Sequence, residues 1–435
     1  VTARVDPEAD HGRRSTLFLQ GPLSPLYAMI GDRLEARGHA VHRINLCVGD
    51  SLDWRRPGAV AYRGSLAKFP AFVARVMDEH AVTDLVLHGD RRLYHRAAAE
   101  AARPRGIVVA ATELGYLRPD FMTIERDATA TGSHFPEDPD AIRAIAAAVP
   151  PPDLALRYRG SFAAQAVPDV VYNLANSLFW FLHPGYRRHT IHHPFADYAA
   201  WGLRLLTERR RQAEADILLA ALVEARTPFF VFAMQLEGDF QVRDHSPYGS
   251  LRPALDEVFA SFRAHAPADT LLVVKNHPLD NGLEGWRGAI HRLAAVHGLR
   301  SRVHFADGGG LAPLVEASRG VVTVNSTAGL EALQRGAAVK TLAPAIYDVP
   351  GLVDPGPLDG FWRTPRAPDP ALLDAFVRAL AATVQVKGTI YSKEGCAAAA
   401  DAMAARIHDR TLNAPGGYVD PPPRLARARA LGCPL

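Results

Sequence analysis

The stretch VTVNSTAGLEALQRGAAVK, residues 322–340, sets small polar groups where an apolar run gives way to a helical one. Asn325, Ser326 and Thr327 there offer hydroxyls and backbone N–H groups at a helix start, a setting that suits an anion. The same two hydroxyls also read as ordinary helix capping. A second loop, LLVVKNHPLD, ends an apolar run in Lys275, Asn276, His277 and Pro278. A point charge, an imidazole and N–H groups suit a phosphate, although a strand turning at proline with a solvated lysine would look alike. A third, FFVFAMQLEGDFQVRDHSPYGS, carries Gln235, Asp239 and His245. Asp239 could act as nucleophile or base, or simply close a turn after Gly238.

Two further loops occur earlier in the chain. LVLHGDRRLYHR supplies Asp90 and Arg92, and IVVAATELGYLRPDFMTIE supplies Glu113, Tyr116 and Arg118. A pair of carboxylates drawn from separate loops is what sugar transfer through an oxocarbenium-like state requires. Weaker signals are discounted. DPD at 138–140 reads as a surface loop. DGGG at 307–310 lacks the spacing of a dinucleotide fingerprint. His189, His192 and His193 lack the companions of a metal site, and Arg209–Arg211 read as a solvated helix face, with attraction to anionic headgroups as the alternative.

The elements that position these residues alternate. STLFLQGP, VHRINLC, DLVLHGD and IVVAAT read as strands separated by helical stretches, and PFFVFAMQ, TLLVVK, RVHF, GVVTVNS and AAVKTL repeat the pattern in the second half. Alternation of this kind implies parallel sheets covered by helices on both faces. Ligands then gather beyond the carboxyl ends of the strands, where each of these loops lies. The expected fold is α/β, with two Rossmann-like doubly wound domains facing a cleft, an arrangement like the GT-B glycosyltransferases. The expected divisions are an acceptor-side domain over 15–160, a helical bridge over 161–225 that could contact a lipid, a nucleotide-binding domain over 226–390, and a C-terminal helix with a Pro-rich tail over 391–435.

Bulk properties exclude several classes. The chain has 435 residues, 48% hydrophobic and 22% charged, with a formal net charge of +3, which gives no global field to recruit nucleic acid. Cys47, Cys396 and Cys433 form no CxxC pair, so neither a disulfide framework nor a zinc site is expected and a reducing compartment fits. No apolar run has the length of a spanning helix and no signal peptide is read. The expected location is cytoplasmic.

The ordered motifs GDRRLYH, ELGYLRPDFMTIE, GSHFP, QLEGDFQVRDHSPY, VVKNHP, VTVNSTAGLEAL and AIYDVPGL…LDGFW resemble the bacterial capsule-polysaccharide β-Kdo transferases of the KpsS/LipB type. The likeness runs from about residue 16 to about 390. It departs from that pattern where a paired acid before Gly-Tyr is here Glu113-Leu114, and where a GSFY-like element reads Gly388-Thr389-Ile390-Tyr391. The resemblance implies retaining transfer of Kdo from CMP-Kdo to a (lyso)phosphatidylglycerol-type lipid that anchors the capsule chain. It implies Asp239 as covalent nucleophile and Lys275, His277, Pro278, Asn325, Ser326, Thr327 and Glu331 as the nucleotide site. Glu113 is the candidate acid/base, and Gln235, Arg118, Tyr116, Arg92, Asp90 and His245 are the candidates for sugar and acceptor. Neither metal nor cofactor beyond the CMP-Kdo donor is expected. The expected partners are the anionic lipid acceptor, the inner face of the cytoplasmic membrane and other capsule biosynthesis or export proteins. Two alternatives stand beside this: another CMP- or UDP-sugar transferase acting on a soluble glycan, and a non-catalytic subunit of a capsule export complex.

Overall fold

The computed structural model describes residues 14–435. The chain divides into two units. One comprises 14–129, 154–189 and 384–413, the other 130–153, 190–383 and 414–435.

The first unit is built on seven strands: β1 (Ser15–Phe18), β2 (Ala40–Asn45), β3 (Ala59–Ala61), β4 (Asp84–His88), β5 (Val108–Leu114), β6 (Phe121–Arg126) and, from far along the chain, Gln385–Lys387. From one edge the order is Gln385–Lys387, β6, β5, β4, β1, β2, β3. β5 to β3 are parallel, whereas β6 returns antiparallel to β5 and Gln385–Lys387 pairs antiparallel with β6. Alternation along the strands explains the layering. Leu17, Leu85 and Leu87 point into one core with Phe69 and Tyr94. Phe18 and Val86 point to the opposite face, where the helices Leu26–Glu35 and Lys393–His408 pack. Residues one apart on a strand therefore feed different layers.

The second unit carries a five-stranded sheet made of β7 (Phe229–Ala233), β8 (Leu271–Lys275), β9 (Val303–Ala306), β10 (Val321–Thr323) and β11 (Val339–Thr341). The order is β11-β10-β7-β8-β9 and every pairing is parallel. β7 reads FFVFA and all five residues are buried, as a strand covered on both faces requires. Phe230, Phe259, Phe262 and Trp362 fill one layer, with Phe262 and Trp362 edge to face at 5.1 Å.

The strand orders have the same logic. In each unit the first strand lies between its second and its fourth, so the chain reverses its direction of travel across the sheet at that strand. Such a point leaves a crevice at the carboxyl ends. It falls between β1 and β4 in one unit and between β7 and β10 in the other.

The linear domain boundaries require correction. Residues 161–225 do not form a body of their own: 161–189 belong to the first unit and 190–225 to the second. Residues 130–153 leave the N-terminal half and pack with the second unit, while 384–413 return to the first and supply its edge strand. The Pro-rich tail is tied down, since the buried Arg424 donates to the carbonyls of Phe135, Ala345 and Ile346. The reading of ELGYLRPDFMTIE as one long loop is also corrected. Glu113 is paired with Thr123 inside β5, and 121–126 form β6. Asp138 of the DPD motif caps the helix Pro139–Ala147 by accepting from the Ala141 N–H at 3.1 Å.

Candidate functional site

In the second unit the crevice is organised by two amides. Gln235 follows β7 and Asn325 follows β10, and both are buried. Gln235 Nε2 donates to Asn325 Oδ1 at 3.1 Å, and the Asn325 N–H donates back to Gln235 Oε1 at 3.3 Å. Asn325 Nδ2 also donates to the carbonyls of Gln241 (2.9 Å) and His245 (3.2 Å). One side chain thus fastens the loop after β7 to the loop after β10, with every polar atom of its amide used.

Asp239 sits within the fastened loop. It is half-buried and caps the short helix Phe240–Arg243, where its Oδ1 accepts from the Gln241 N–H at 2.9 Å. An acceptor at that position satisfies an N–H that the first turn of the helix leaves without an internal partner. His245, expected among the ligand contacts, is instead an internal residue. Its ring is buried and Nδ1 meets the Thr131 hydroxyl. Glu237, not singled out from sequence, is half-buried and accepts from the Leu251 N–H at 2.9 Å. Burial pushes its carboxyl above the usual range.

Across β10, Ser326 caps the helix Thr327–Gln334 through the Ala328 N–H at 3.2 Å. Tyr347 donates its hydroxyl to the Ser326 carbonyl and lies against Gly329, where an added Cβ would come within 2.2 Å of the phenol oxygen. The helix start is therefore locked from behind. Thr327 lies on the first turn, and Glu331, a turn later, forms a loose i,i+4 pair with Arg335 at 3.6 Å.

The loop after β8 lies on the other side of β7. Lys275 is buried, and burial lowers its ammonium to about 8. Its Nζ donates to the Asn276 carbonyl at 2.9 Å. Asn276 Nδ2 is shared between Asp280 at 3.0 Å and Asp307 at 2.8 Å, and Arg204 clamps Asp307 with both terminal nitrogens, at 3.2 and 2.9 Å. The glycine-rich run at 307–310 thus serves an ion-pair network rather than a phosphate loop. Gly308 is required there because a Cβ would come within 2.4 Å of the Arg211 carbonyl. His277 is half-buried and its Nδ1 accepts from the Leu279 N–H at 3.1 Å, so a neutral ring carries its proton on Nε2. Pro278 is on the exposed turn. Lys275, Gln235 and Asn325 therefore stand at the carboxyl ends of three adjacent strands, β8, β7 and β10.

In the first unit the crevice between β1 and β4 holds a second polar cluster. Gln20 follows β1 and is buried. Its Nε2 lies 2.9 Å from Asp50 Oδ1 and 2.6 Å from the Tyr172 hydroxyl, and its Oε1 accepts from Arg92 at 3.4 Å. Gly89 follows β4 at φ +75°, and a Cβ there would sit 2.9 Å from Glu113 Oε1 and 3.5 Å from Arg92 Nε. The glycine thus leaves room in which Glu113 and Arg92 approach the same backbone. Asp90 accepts from Thr129 at 2.9 Å, and burial raises its carboxyl above the usual range. Burial holds His88 and His95 well below the ordinary imidazole range. His88 Nδ1 meets Thr112 at 3.0 Å and His95 Nδ1 meets the Gly89 carbonyl at 2.9 Å.

Tyr116 and Arg118 do not join that cluster as expected. Tyr116 turns into the unit and donates to the buried Glu125 at 2.9 Å, and its N–H donates to Gln385 Oε1. Arg118 is exposed on the β5–β6 connection. Glu113 and Asp239 belong to different units. Among the described residues, no group of three or more His, Cys, Asp or Glu is placed to hold a metal, and Cys47, Cys396 and Cys433 are buried free thiols.

Two α/β units, each with polar side chains gathered at a strand-order reversal, define a Rossmann-type two-unit protein. A family model described as capsule polysaccharide biosynthesis protein matches residues 83–391. The capsule polysaccharide export protein KpsS of Escherichia coli is 29% identical over 385 residues, 86% of this chain and 96% of its own length. The capsule polysaccharide modification protein LipB of Neisseria meningitidis serogroup A is 32% identical over 394 residues, covering 87% and 91%. The chain belongs to the capsule polysaccharide biosynthesis family. A solved β-Kdo 2,7 transferase, KpsC of Thermosulfurimonas dismutans, aligns over 91% of this chain and 100% of that one at 14% identity and a TM-score of 0.44, a likeness too weak to bear on function.

Proposed function

We propose that this chain is a retaining β-Kdo glycosyltransferase that moves Kdo from CMP-Kdo to a (lyso)phosphatidylglycerol-type lipid in capsule linker synthesis. The observation that carries the reading is the Gln235–Asn325 amide pair. It sets a carboxyl group, Asp239, and a helix start, Ser326-Thr327, on loops of neighbouring strands, with Lys275 one strand further. A leaving nucleotide phosphate needs the last two, and a covalent double displacement needs the first.

In the proposed course, an Asp239 oxygen bonds to the anomeric carbon of Kdo while the bond from that carbon to the phosphate oxygen breaks. CMP departs with the electron pair. Lys275, the N–H groups at Ser326 and Thr327, and the Nε2–H of His277 offset its charge. The acceptor hydroxyl then attacks the same carbon from the vacated side. The bond to Asp239 breaks and a general base takes the hydroxyl proton, giving net retention. Glu331 and Pro278 border the nucleotide. The acceptor places the reaction at the inner face of the cytoplasmic membrane, alongside other capsule proteins.

The test is intact-mass spectrometry of the full chain after incubation with CMP-Kdo and no acceptor. A Kdo-sized adduct that is lost in Asp239→Asn supports the reading. Turnover without any adduct in the wild-type chain overturns the covalent step, and absence of CMP binding overturns the nucleotide site.

A further inference from the structure

The helix Phe162–Leu178 is amphipathic in the inverted sense. Its polar side faces the protein. Tyr172 reaches Gln20 and Cys47, and Asn176 Oδ1 accepts from the Gly49 N–H at 2.8 Å. Gly49 is required beneath it, because a Cβ would come within 2.2 Å of the Tyr172 ring. Val167, Val171, Leu174 and Leu178 are exposed instead. At about 100° per residue these four span about 60° of the helix, opposite Tyr172 and Asn176. The strip runs on into Phe179, Trp180 and Phe181, of which Trp180 is 64% exposed. An apolar strip this continuous on a surface marks an interaction site.

We propose that this face is a membrane anchor that lies in the headgroup region of an anionic bilayer. Charge selects that occupant. Residues 154–189 contain four arginines, Arg157, Arg159, Arg187 and Arg188, against one acid, Asp169. The arginines flank the helix at both ends, and Arg188 donates to Ser177 Oγ at 3.0 Å, beside the end of the apolar strip. An apolar face with aromatic residues at one end and cations at its margins has the composition of a helix lying in a bilayer interface. A second copy of this chain is disfavoured, because a two-fold contact would set the same arginines against one another with Asp169 alone to offset them. The helix Pro194–Glu224 of the second unit also exposes leucines, but paired charges such as Arg210–Glu214 at 2.9 Å are interspersed among them, as on a solvated face.

The inference rests on the proposed function only for the choice of lipid. It is tested without donor sugar, so its failure and the failure of the catalytic reading are separate. The full chain is sedimented with vesicles of phosphatidylglycerol and phosphatidylcholine, and with phosphatidylcholine alone. Binding to the anionic vesicles that weakens with salt is expected, falling tenfold or more in Leu178→Glu/Phe181→Glu. Arg159→Ser/Arg187→Ser keeps the apolar face and is expected to cost about fivefold per arginine. Circular-dichroism spectra and thermal melts should be unchanged in both variants and report that they are folded. Equal sedimentation of wild-type and Leu178→Glu/Phe181→Glu protein overturns the proposal. So does a wild-type dimer that this variant converts to monomer while neither binds vesicles.

Discussion

Replacing Asp239 by asparagine separates two jobs that one carboxylate holds. Its side chain caps Phe240–Arg243 through the Gln241 N–H, and its carbonyl accepts from the N–H groups of Val242 and Arg243 at 3.0 Å. Asparagine caps about as well as aspartate, so Asp239→Asn should shift stability by no more than about 0.5 kcal/mol. Asp239→Ala should cost about 1 kcal/mol, within a range of about 0.5–2. A neutral amide cannot replace the carboxylate nucleophile. If the proposed covalent step is correct, both variants lose turnover by about a thousandfold or more, equivalent to about 4 kcal/mol of barrier. Thermal melts beside turnover of CMP-Kdo with a lipid acceptor make the comparison. The catalytic reading expects Asp239→Asn to melt like wild type and to be inactive. If Asp239→Asn stays within tenfold of wild-type turnover while only Asp239→Ala is impaired, the carboxylate is a cap alone, and the export-subunit alternative gains by it.

Lys275 should destabilise the ligand-free protein, because its buried ammonium is lowered from 10.5 to about 8. Lys275→Met is therefore expected to raise stability at pH 7 by up to about 3 kcal/mol while weakening CMP binding. The sign with pH follows from proton counting. Between pH 8 and 10.5 the unfolded chain holds more protons on this residue than the folded one, so wild-type stability gains on the variant as pH rises, which melts from pH 7 to 10 would register. Titration calorimetry should show CMP affinity falling as pH passes above about 8 in the wild type, and a flat profile in Lys275→Met would confirm the source. Asn325→Ala strands the buried Gln235 amide and frees two loops, so a loss of about 1–3 kcal/mol is expected by chemical denaturation. Gln235→Ala should cost a similar amount, and the double variant less than the sum. Gly49→Ala forces Tyr172 off the first unit. Faster proteolysis within 162–178 should reveal it, with CMP affinity intact.

The strands that carry the site are readable in sequence because they are covered on both faces. FFVFA and LLVVK are unbroken apolar runs, and the polar residue that ends each run marks the sheet edge where ligands gather. That is why Gln235, Lys275 and Asn325 could be picked out by position. The edge of the first sheet could not be, since Gln385–Lys387 is three residues long and gains its strand character from β6, where Gln385 pairs with Thr123. The exchange of 130–153 and 384–413 between units leaves no compositional trace either, because each segment meets the same apolar demand wherever it packs.

The same distinction separates the parts of the site. Residue type announces what a side chain is capable of, but burial and partners decide its state, and the partners lie far off in sequence. Asp307 sits in a run of glycines that looks like a turn, yet it receives Arg204 from a helix more than 100 positions earlier and Asn276 from the adjacent strand end. That arrangement places an anionic group near Lys275, which favours its charged form, while burial and the nearby Arg204 oppose it. An ammonium poised near neutrality in this way binds a phosphate by recovering the charge that burial had made costly. The network behind Lys275 should therefore govern nucleotide affinity although it need not touch the nucleotide. Asp307→Asn, which keeps an acceptor for Asn276 but removes the charge, is expected to move the pH at which CMP binding falls to a lower value. An unchanged midpoint would mean that Asp307 supports the loop mechanically and leaves the lysine's charge to other groups.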